Sequence, residues 1–266
     1  MTWGVTGLAV TFGSHAALEG VTLDVPAGRV TTVVGSDGAG KSTLLRVLAG
    51  LVAPTAGSCR LPERARLGYL PTRAGGFRDL TVAENLEFVA SAARMADPAP
   101  RTADLLERTG LAPFRNRLAR DLSGGMRQKL GVVMAMLPGP ALLVLDEPTT
   151  GVDPVSRADL WRLIAVAAAG GAAVAVSSAY LDEAERASWV LVLHAGRPLI
   201  AGPPDEVVAS LPGAVVDVDL PTDPQRAWRR GPRWREWRPE GSPQAAPAGL
   251  EDVVIVASLA SAAGRE

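Results

Sequence analysis

Short apolar runs, each bounded by turn-forming residues, open this chain and return after its midpoint. Residues 5–12, 21–25 and 30–34 read as strands. The third, Val30-Thr31-Thr32-Val33-Val34, is short and β-branched and leads straight into a Gly-rich loop. The period then changes. Leu44, Leu45 and Leu48 fall on one face of a helix predicted over residues 40–49, with Gly50 closing it. Residues 51–71 read as short strands and turns. From about Asp79 to Met136 the pattern is helical. Thr81-Val82-Ala83-Glu84 has the form of a capping box, and residues 103–108 form a further candidate helix. Pro98, Pro100 and Pro113 divide this segment. Strand-like runs resume at residues 141–145, 172–177 and 190–194.

Two uncharged stretches approach the length of a membrane span. Residues 163–181 hold 19 positions without a charge. Gly170-Gly171 splits them, so they read as the end of a helix followed by a buried strand. Pro138-Gly139-Pro140 splits residues 130–145 in the same way. No membrane span is expected, and any membrane role has to come through a partner.

Composition narrows the classes. The chain has 266 residues, 47% hydrophobic and 21% charged, which suits a soluble, well-cored α/β protein. A formal net charge of −1 leaves no global field to steer it to nucleic acid or anionic lipid. One cysteine, Cys59, excludes an internal disulfide, fits a reducing compartment and is read as packing. Met1-Thr2-Trp3-Gly4 shows no basic segment followed by an apolar run, so no signal peptide is expected. Around Pro203 the composition shifts. Residues 211–266 hold seven prolines, three tryptophans and a cluster of arginines, and read as a small appendage ending in an apolar strand or helix at 250–259.

Three motifs carry chemistry. Gly35-Ser36-Asp37-Gly38-Ala39-Gly40-Lys41-Ser42 fits G-x-x-x-x-G-K-[ST] between a strand and a helix. Its glycines let backbone N–H groups turn inward around phosphate oxygens, and the helix that follows presents its positive end to the same anion. Lys41 is expected to reach the β- and γ-phosphates and Ser42 to ligate magnesium; Thr43 completes this set of candidate binding residues. Leu142-Leu143-Val144-Leu145-Asp146-Glu147 reads as a buried parallel strand with its acids at the carboxyl end, where ligands collect. Asp146 is the candidate magnesium ligand, directly or through water. Glu147 is the candidate general base for the attacking water. Leu122-Ser123-Gly124-Gly125-Met126 opens a helix and forms a second anion site, with Ser123, Gly124 and Gly125 suited to a γ-phosphate. One nucleotide does not need two such loops from one chain, so the second is read as serving a neighbouring subunit's nucleotide.

With these motifs in this order, the chain resembles the nucleotide-binding domain of an ABC transporter. Residues 35–42 resemble the Walker A loop, 142–146 the Walker B strand, and 122–126 the signature motif. Gly151-Val152-Asp153 resembles the D-loop of the dimer interface, and Phe12 matches the aromatic that stacks on adenine. The resemblance covers about residues 3–210. It implies an α/β fold: a P-loop NTPase core with a parallel sheet, an antiparallel β-subdomain, an inserted helical subdomain (72–136) and a small C-terminal appendage. The domain expectation is an ATPase domain over 1–210 and an accessory region over 211–266. Leu250-Glu251-Asp252-Val253-Val254, Asp153-Pro154-Val155-Ser156-Arg157 and Tyr180-Leu181-Asp182-Glu183-Ala184-Glu185 are similar to the bacterial drug-exporter branch. The resemblance therefore implies ATP and Mg2+ as cofactors, and as partners a separate membrane permease and a second ATPase subunit. No direct nucleic-acid partner is expected, and the place implied is the cytoplasmic face of the cell membrane.

Two positions depart from the family pattern. After Leu67-Gly68-Tyr69-Leu70-Pro71 the family usually has Gln; here it is Thr72. Before Tyr180-Leu181-Asp182-Glu183 it usually has His; here it is Ala179. The histidines present, His15 and His194, do not match that position and read as surface or strand-end residues. The expectation is a site that binds ATP and turns it over slowly, in an asymmetric pair to which this chain lends residues 122–126. A largely non-hydrolytic regulatory subunit, and a soluble ATPase acting on nucleic acid or in cofactor assembly, stay open as alternatives. The Arg/Trp cluster at 226–238 reads either as a patch for nucleic acid or lipid head groups or, preferred here, as an amphipathic strand with Trp packed and Arg exposed.

Overall fold

The computed structural model describes residues 1–72 and 76–263. Strands β1 (Thr2–Phe12) and β2 (His15–Pro26) form an antiparallel hairpin, in which Phe12 pairs with His15. Strand β3 (Val30–Val34) is buried at every position, and helix α1 (Lys41–Leu48) follows the Gly-rich loop. Strand β4 (Ala56–Arg60) adds to the free edge of β1, giving the antiparallel order β2-β1-β4. The second strand expected over 21–25 is thus longer, because the hairpin extends its pairing back to His15. Cys59 on β4 packs against the core under this sheet, and burial pushes its thiol up.

After β5 (Leu67–Leu70) come α2 (Val82–Ala92), α3 (Ala99–Thr109) and α4 (Gly124–Met136). The capping box at α2 is complete: Thr81 accepts from the Glu84 amide, and Glu84 accepts from the Thr81 amide. Helix α3 is longer than the 103–108 expected, since Pro98 and Pro100 sit at its start, where a missing N–H removes no helical bond. Positions 73–75, within the helical segment expected over 72–136, lie outside the described residues.

Strand β6 (Leu142–Asp146), helix α5 (Pro154–Ala169), strand β7 (Ala173–Ser178), the short helix α6 (Leu181–Ala184) and strands β8 (Trp189–His194) and β9 (Arg197–Gly202) complete the central sheet. Its order is β5-β6-β7-β3-β8-β9, parallel throughout except for the β8–β9 pair. Strands covered on both faces need apolar residues at both parities. Leu142 and Val144 accordingly face a core shared with α1 and the antiparallel sheet. Leu143 and Leu145 face a second core shared with α4 and α5. Val174/Val176 and Ala173/Ala175 divide in the same way on β7. The uncharged run at 163–181 is α5 turning through Gly170 and the left-handed Gly171 into β7. Among the described residues, no helix is long and apolar enough to cross a membrane.

The C-terminal part begins with α7 (Pro204–Ala209). A three-stranded antiparallel sheet follows, of β10 (Ala214–Val218), β11 (Ala227–Arg230) and β12 (Arg233–Arg238) in the order β10-β12-β11, then α8 (Leu250–Ala263). The open choice at 250–259 resolves as helix. The Arg/Trp cluster is a β11–β12 hairpin, but the expected burial needs correcting at one position. Arg235 is buried, because the Asp252 carboxylate on α8 stands beneath it and takes a charge-assisted hydrogen bond. Trp228, Trp234 and Trp237 are half-buried.

Candidate functional site

The phosphate-type loop leaves β3 at Val34 and ends at Gly40, whose φ of 100° lies in the left-handed region. A Cβ there would stand 2.6 Å from Leu18 Cδ2 and 2.9 Å from the Ala17 carbonyl, so glycine alone fits. Lys41, 5% exposed, folds its ammonium back into the loop and donates to the carbonyls of Gly35 (2.8 Å) and Ser36 (3.2 Å). Glu147 Oε1 is 3.5 Å from the same Nζ, and Asp37 Oδ1 is 3.9 Å away. These groups border a cavity of about 290 Å3 lined by Phe12, His15, Ala17, Asp37, Gly38, Ala39, Gly40, Lys41, Ser42, Thr43 and Glu147.

Strand β6 ends in two acids, of which Glu147 lines this cavity. Asp146 is fully buried, and hydroxyls occupy both its oxygens: Ser177 donates at 2.6 Å and Thr72 at 2.7 Å. Glu147 then turns the chain with a φ of 51°, in the left-handed region a glutamate disfavours by about 1–3 kcal/mol. Its neighbours hold it there. Its amide donates to Ser177 Oγ (2.9 Å), its carbonyl accepts from Gln128 Nε2 (3.2 Å), and its Oε2 accepts from Thr150 Oγ1 (3.1 Å). The oxygens suited to a hard cation are the Ser42 hydroxyl, which lines the cavity, and the Asp146 carboxylate, which does not line it and already accepts a hydroxyl at each oxygen, so that Asp146 would reach such an ion through water. So few direct protein oxygens fit an ion that keeps water and phosphate in its remaining positions.

Ser123 caps α4, its hydroxyl accepting from the Met126 amide at 3.2 Å. Ser123, Gly124 and Gly125 do not line the cavity around Lys41. They stand instead beside residues 151–156: a Cβ on Gly125 would be 3.4 Å from the Ser156 side chain and 3.5 Å from Val152. Asp153 caps α5 through the amides of Val155 and Ser156, each at 3.0 Å. The Ser156 hydrogen bond is the main cause holding its carboxyl below the usual carboxylate range.

Phe12 is 52% exposed, so it is no core residue, and it forms one wall of the Lys41 cavity. Ala179 is exposed just beyond β7 and lines a different cavity, with Tyr180, Asp182 and Arg230 among its neighbours. His194 is half-buried at the end of β8. His15 is an exposed strand-end residue, as expected, but it also borders the Lys41 cavity. The signal for it was available: a two-residue turn at Gly13-Ser14 sets His15 directly across from Phe12. Ser177 and Gln128 were missed as partners of Asp146 and Glu147, and no motif spacing marks them.

A family model described as "ABC transporter" matches residues 18–150. The probable multidrug ABC transporter ATP-binding protein of Escherichia coli (strain K12) is 43% identical over 201 residues, which cover 71% of this chain and 35% of that protein. The chain therefore spans about a third of that relative's length. The daunorubicin/doxorubicin resistance ATP-binding protein of Streptomyces peucetius is 35% identical over 235 residues, 84% of this chain and 71% of that one. Among solved structures, an ATP-binding subunit of an ABC transporter superposes with a TM-score of 0.72 at 29% identity, covering 79% of this chain and 92% of that one. A dimeric bacterial ABC transporter cassette, at 23% identity and a TM-score of 0.67, covers 76% of this chain and 98% of its own and shares the fold.

Proposed function

Because this chain belongs to the ABC transporter family, we propose that it is the ATP-binding subunit of an exporter. In this reading it binds MgATP, closes head-to-tail with a second ATPase subunit and drives a separate membrane permease. The observation that carries the proposal is the meeting of Lys41 and Glu147 at one cavity, 3.5 Å separating the Lys41 ammonium from the Glu147 carboxylate, with the buried Asp146 one residue before it. The loop amides and Lys41 bind the phosphates, Phe12 stacks on the base, and Ser42 with Asp146 holds Mg2+. Magnesium, when bound, neutralises phosphate charge. Glu147 accepts the proton of the attacking water.

Residues 122–126 stand outside the cavity of their own chain, which supports their service to a neighbour's nucleotide. Within the helical segment, Phe77 and Phe88 are half exposed and meet edge to face at 4.6 Å, an aromatic patch that supports docking to a permease at the cytoplasmic face of the membrane. The names of the relatives, which include multidrug, daunorubicin and Nod factor export proteins, support export as the direction.

A second reading, a largely non-hydrolytic ATP clamp, is favoured by Thr72 and Ala179. The Thr72 hydroxyl is committed to Asp146, and Ala179 offers no side-chain hydrogen bond. ATP binding and phosphate release by the purified chain, alone and with its permease and partner ATPase, test both. Binding abolished by Lys41→Ala supports the assignment, and binding that survives it overturns it. Single-turnover phosphate release at this chain's site that stops with Glu147→Gln separates the ATPase from the clamp.

A further inference from the structure

Glu183 lies on α6 with no exposed surface, outside the cavity around Lys41. One carboxylate oxygen, Oε2, accepts from Thr149 Oγ1 at 2.8 Å and from Ser178 Oγ at 2.6 Å. The other, Oε1, faces Arg157 Nε at 3.6 Å. The Arg157 guanidinium in turn lies over the Tyr180 ring, 4.5 Å from its centre, and is 4.0 Å from Asp182. The loop after β6, the start of α5 and the end of β7 therefore meet on one side chain, the first of them 34 residues from it in sequence.

A buried carboxylate is expensive unless several donors satisfy it, so its presence constrains whatever supplies those donors. The two hydroxyl donors, Thr149 and Ser178, and the ion-pair partner Arg157 each sit beside the candidate chemistry. Thr149 shares a tight loop with Glu147, and the next residue, Thr150, hydrogen-bonds the Glu147 carboxylate. Ser178 follows Ser177, which holds both Asp146 and the Glu147 amide. Arg157 is in the first turn of α5, next to Ser156, the residue that approaches Gly125. We propose that Glu183 is a positioning residue, setting the loop of Glu147 in register with the 151–157 segment that faces the second subunit. The proposal rests on the ATPase reading above. In it the segment after β7 contributes through a buried carboxylate, although Ala179 at its start contributes no polar group.

The test uses the full chain in its assembled complex. Thr149→Val keeps shape and removes one donor, and Glu183→Gln removes the charge. Each is expected to lower single-turnover hydrolysis at this chain's site about ten- to hundredfold while its Kd for ATP stays within about twofold, as for a displaced reacting group. The double variant should lose less than the product of the two single losses. Amide hydrogen exchange over residues 147–153 should quicken in Thr149→Val, a readout that needs no hydrolysis. Should Glu183→Gln fail to fold, Thr149→Val and Ser178→Ala carry the test. Normal single-turnover hydrolysis at this site with unchanged exchange, or an effect confined to melting temperature, overturns the proposal. An unmutated assembly that binds ATP without turnover overturns the ATPase reading instead, and hydrogen exchange then decides the positioning role.

Discussion

The Thr72 hydroxyl donates a 2.7 Å hydrogen bond to the buried carboxylate of Asp146, across 74 residues of sequence. Where the family pattern has a longer amide, this chain ties the segment after β5 directly to the strand-end acid. Thr72→Val leaves an oxygen of Asp146 without that partner and is expected to destabilise the fold by about 1–3 kcal/mol, read as a lower melting temperature. Thr72→Gln combined with Ala179→His restores the two polar groups of the family pattern. Since one transition-state donor is worth about 10²–10³ in rate, the pair should raise steady-state phosphate release. Unchanged release would count against these two positions as limits on turnover.

Glu147→Gln retains the size of the side chain and removes the base. ATP binding should persist and single-turnover hydrolysis at this site should fall at least about a hundredfold. In an asymmetric pair, the equivalent substitution in the partner ATPase should reduce transport-coupled turnover much more. Equal loss from both substitutions would sink the asymmetric arrangement.

Phe12 is half exposed, so removing its ring should leave stability nearly unchanged while weakening nucleotide binding. Stacking of a base on an aromatic ring is worth about 1–3 kcal/mol, so Phe12→Ala should raise the Kd for ATP about fivefold or more. Titration with a fluorescent ATP analogue measures this, with a thermal melt as control.

In the C-terminal sheet, Arg235 and Asp252 are buried together, with Asp217 and Arg230 flanking them. Asp252→Ala leaves the buried guanidinium with Asp217 and the Pro247 carbonyl but without its most buried partner, and is expected to destabilise this region by up to about 3–5 kcal/mol. Replacing both partners with apolar residues should be much milder. Chemical denaturation of the two variants distinguishes the outcomes.

Glu236 accepts from the Thr222 hydroxyl and from the amides of Thr222 and Asp223. The Thr222 hydroxyl leads these in holding its carboxyl below the ordinary value of 4.5. A depressed carboxylate adds stability that is fully present above its ordinary value and is lost as pH falls through the lowered one. The sheet should therefore resist mild acid, and Thr222→Val should move its acid transition to higher pH, followed by tryptophan fluorescence.

Much of this was legible because β3, β6 and β7 are buried on both faces and so read as short runs without a charge, β-branched in β3 and apolar in β6 and β7, that end in a Gly-rich loop, in two acids and in two serines. The turns at 35–42 and 122–126 carry their chemistry locally, in backbone amides and caps. What pattern could not supply were partnerships across the fold. Thr72 reaches Asp146, Glu183 reaches Thr149, and Arg235 lies buried over Asp252 only because strands and helices distant in sequence are packed together. Alternation along β12 predicted an exposed Arg235, and a single carboxylate on α8 reversed it.

Glu147 takes a backbone conformation that suits glycine or asparagine better than glutamate. Heat resistance and turnover therefore pull in opposite directions at this position. Glu147→Asn should melt at a higher temperature than the unaltered chain while losing hydrolysis. A lineage relieved of the need for chemistry here would drift toward a calmer, inert fastener that ATP closes and does not reopen.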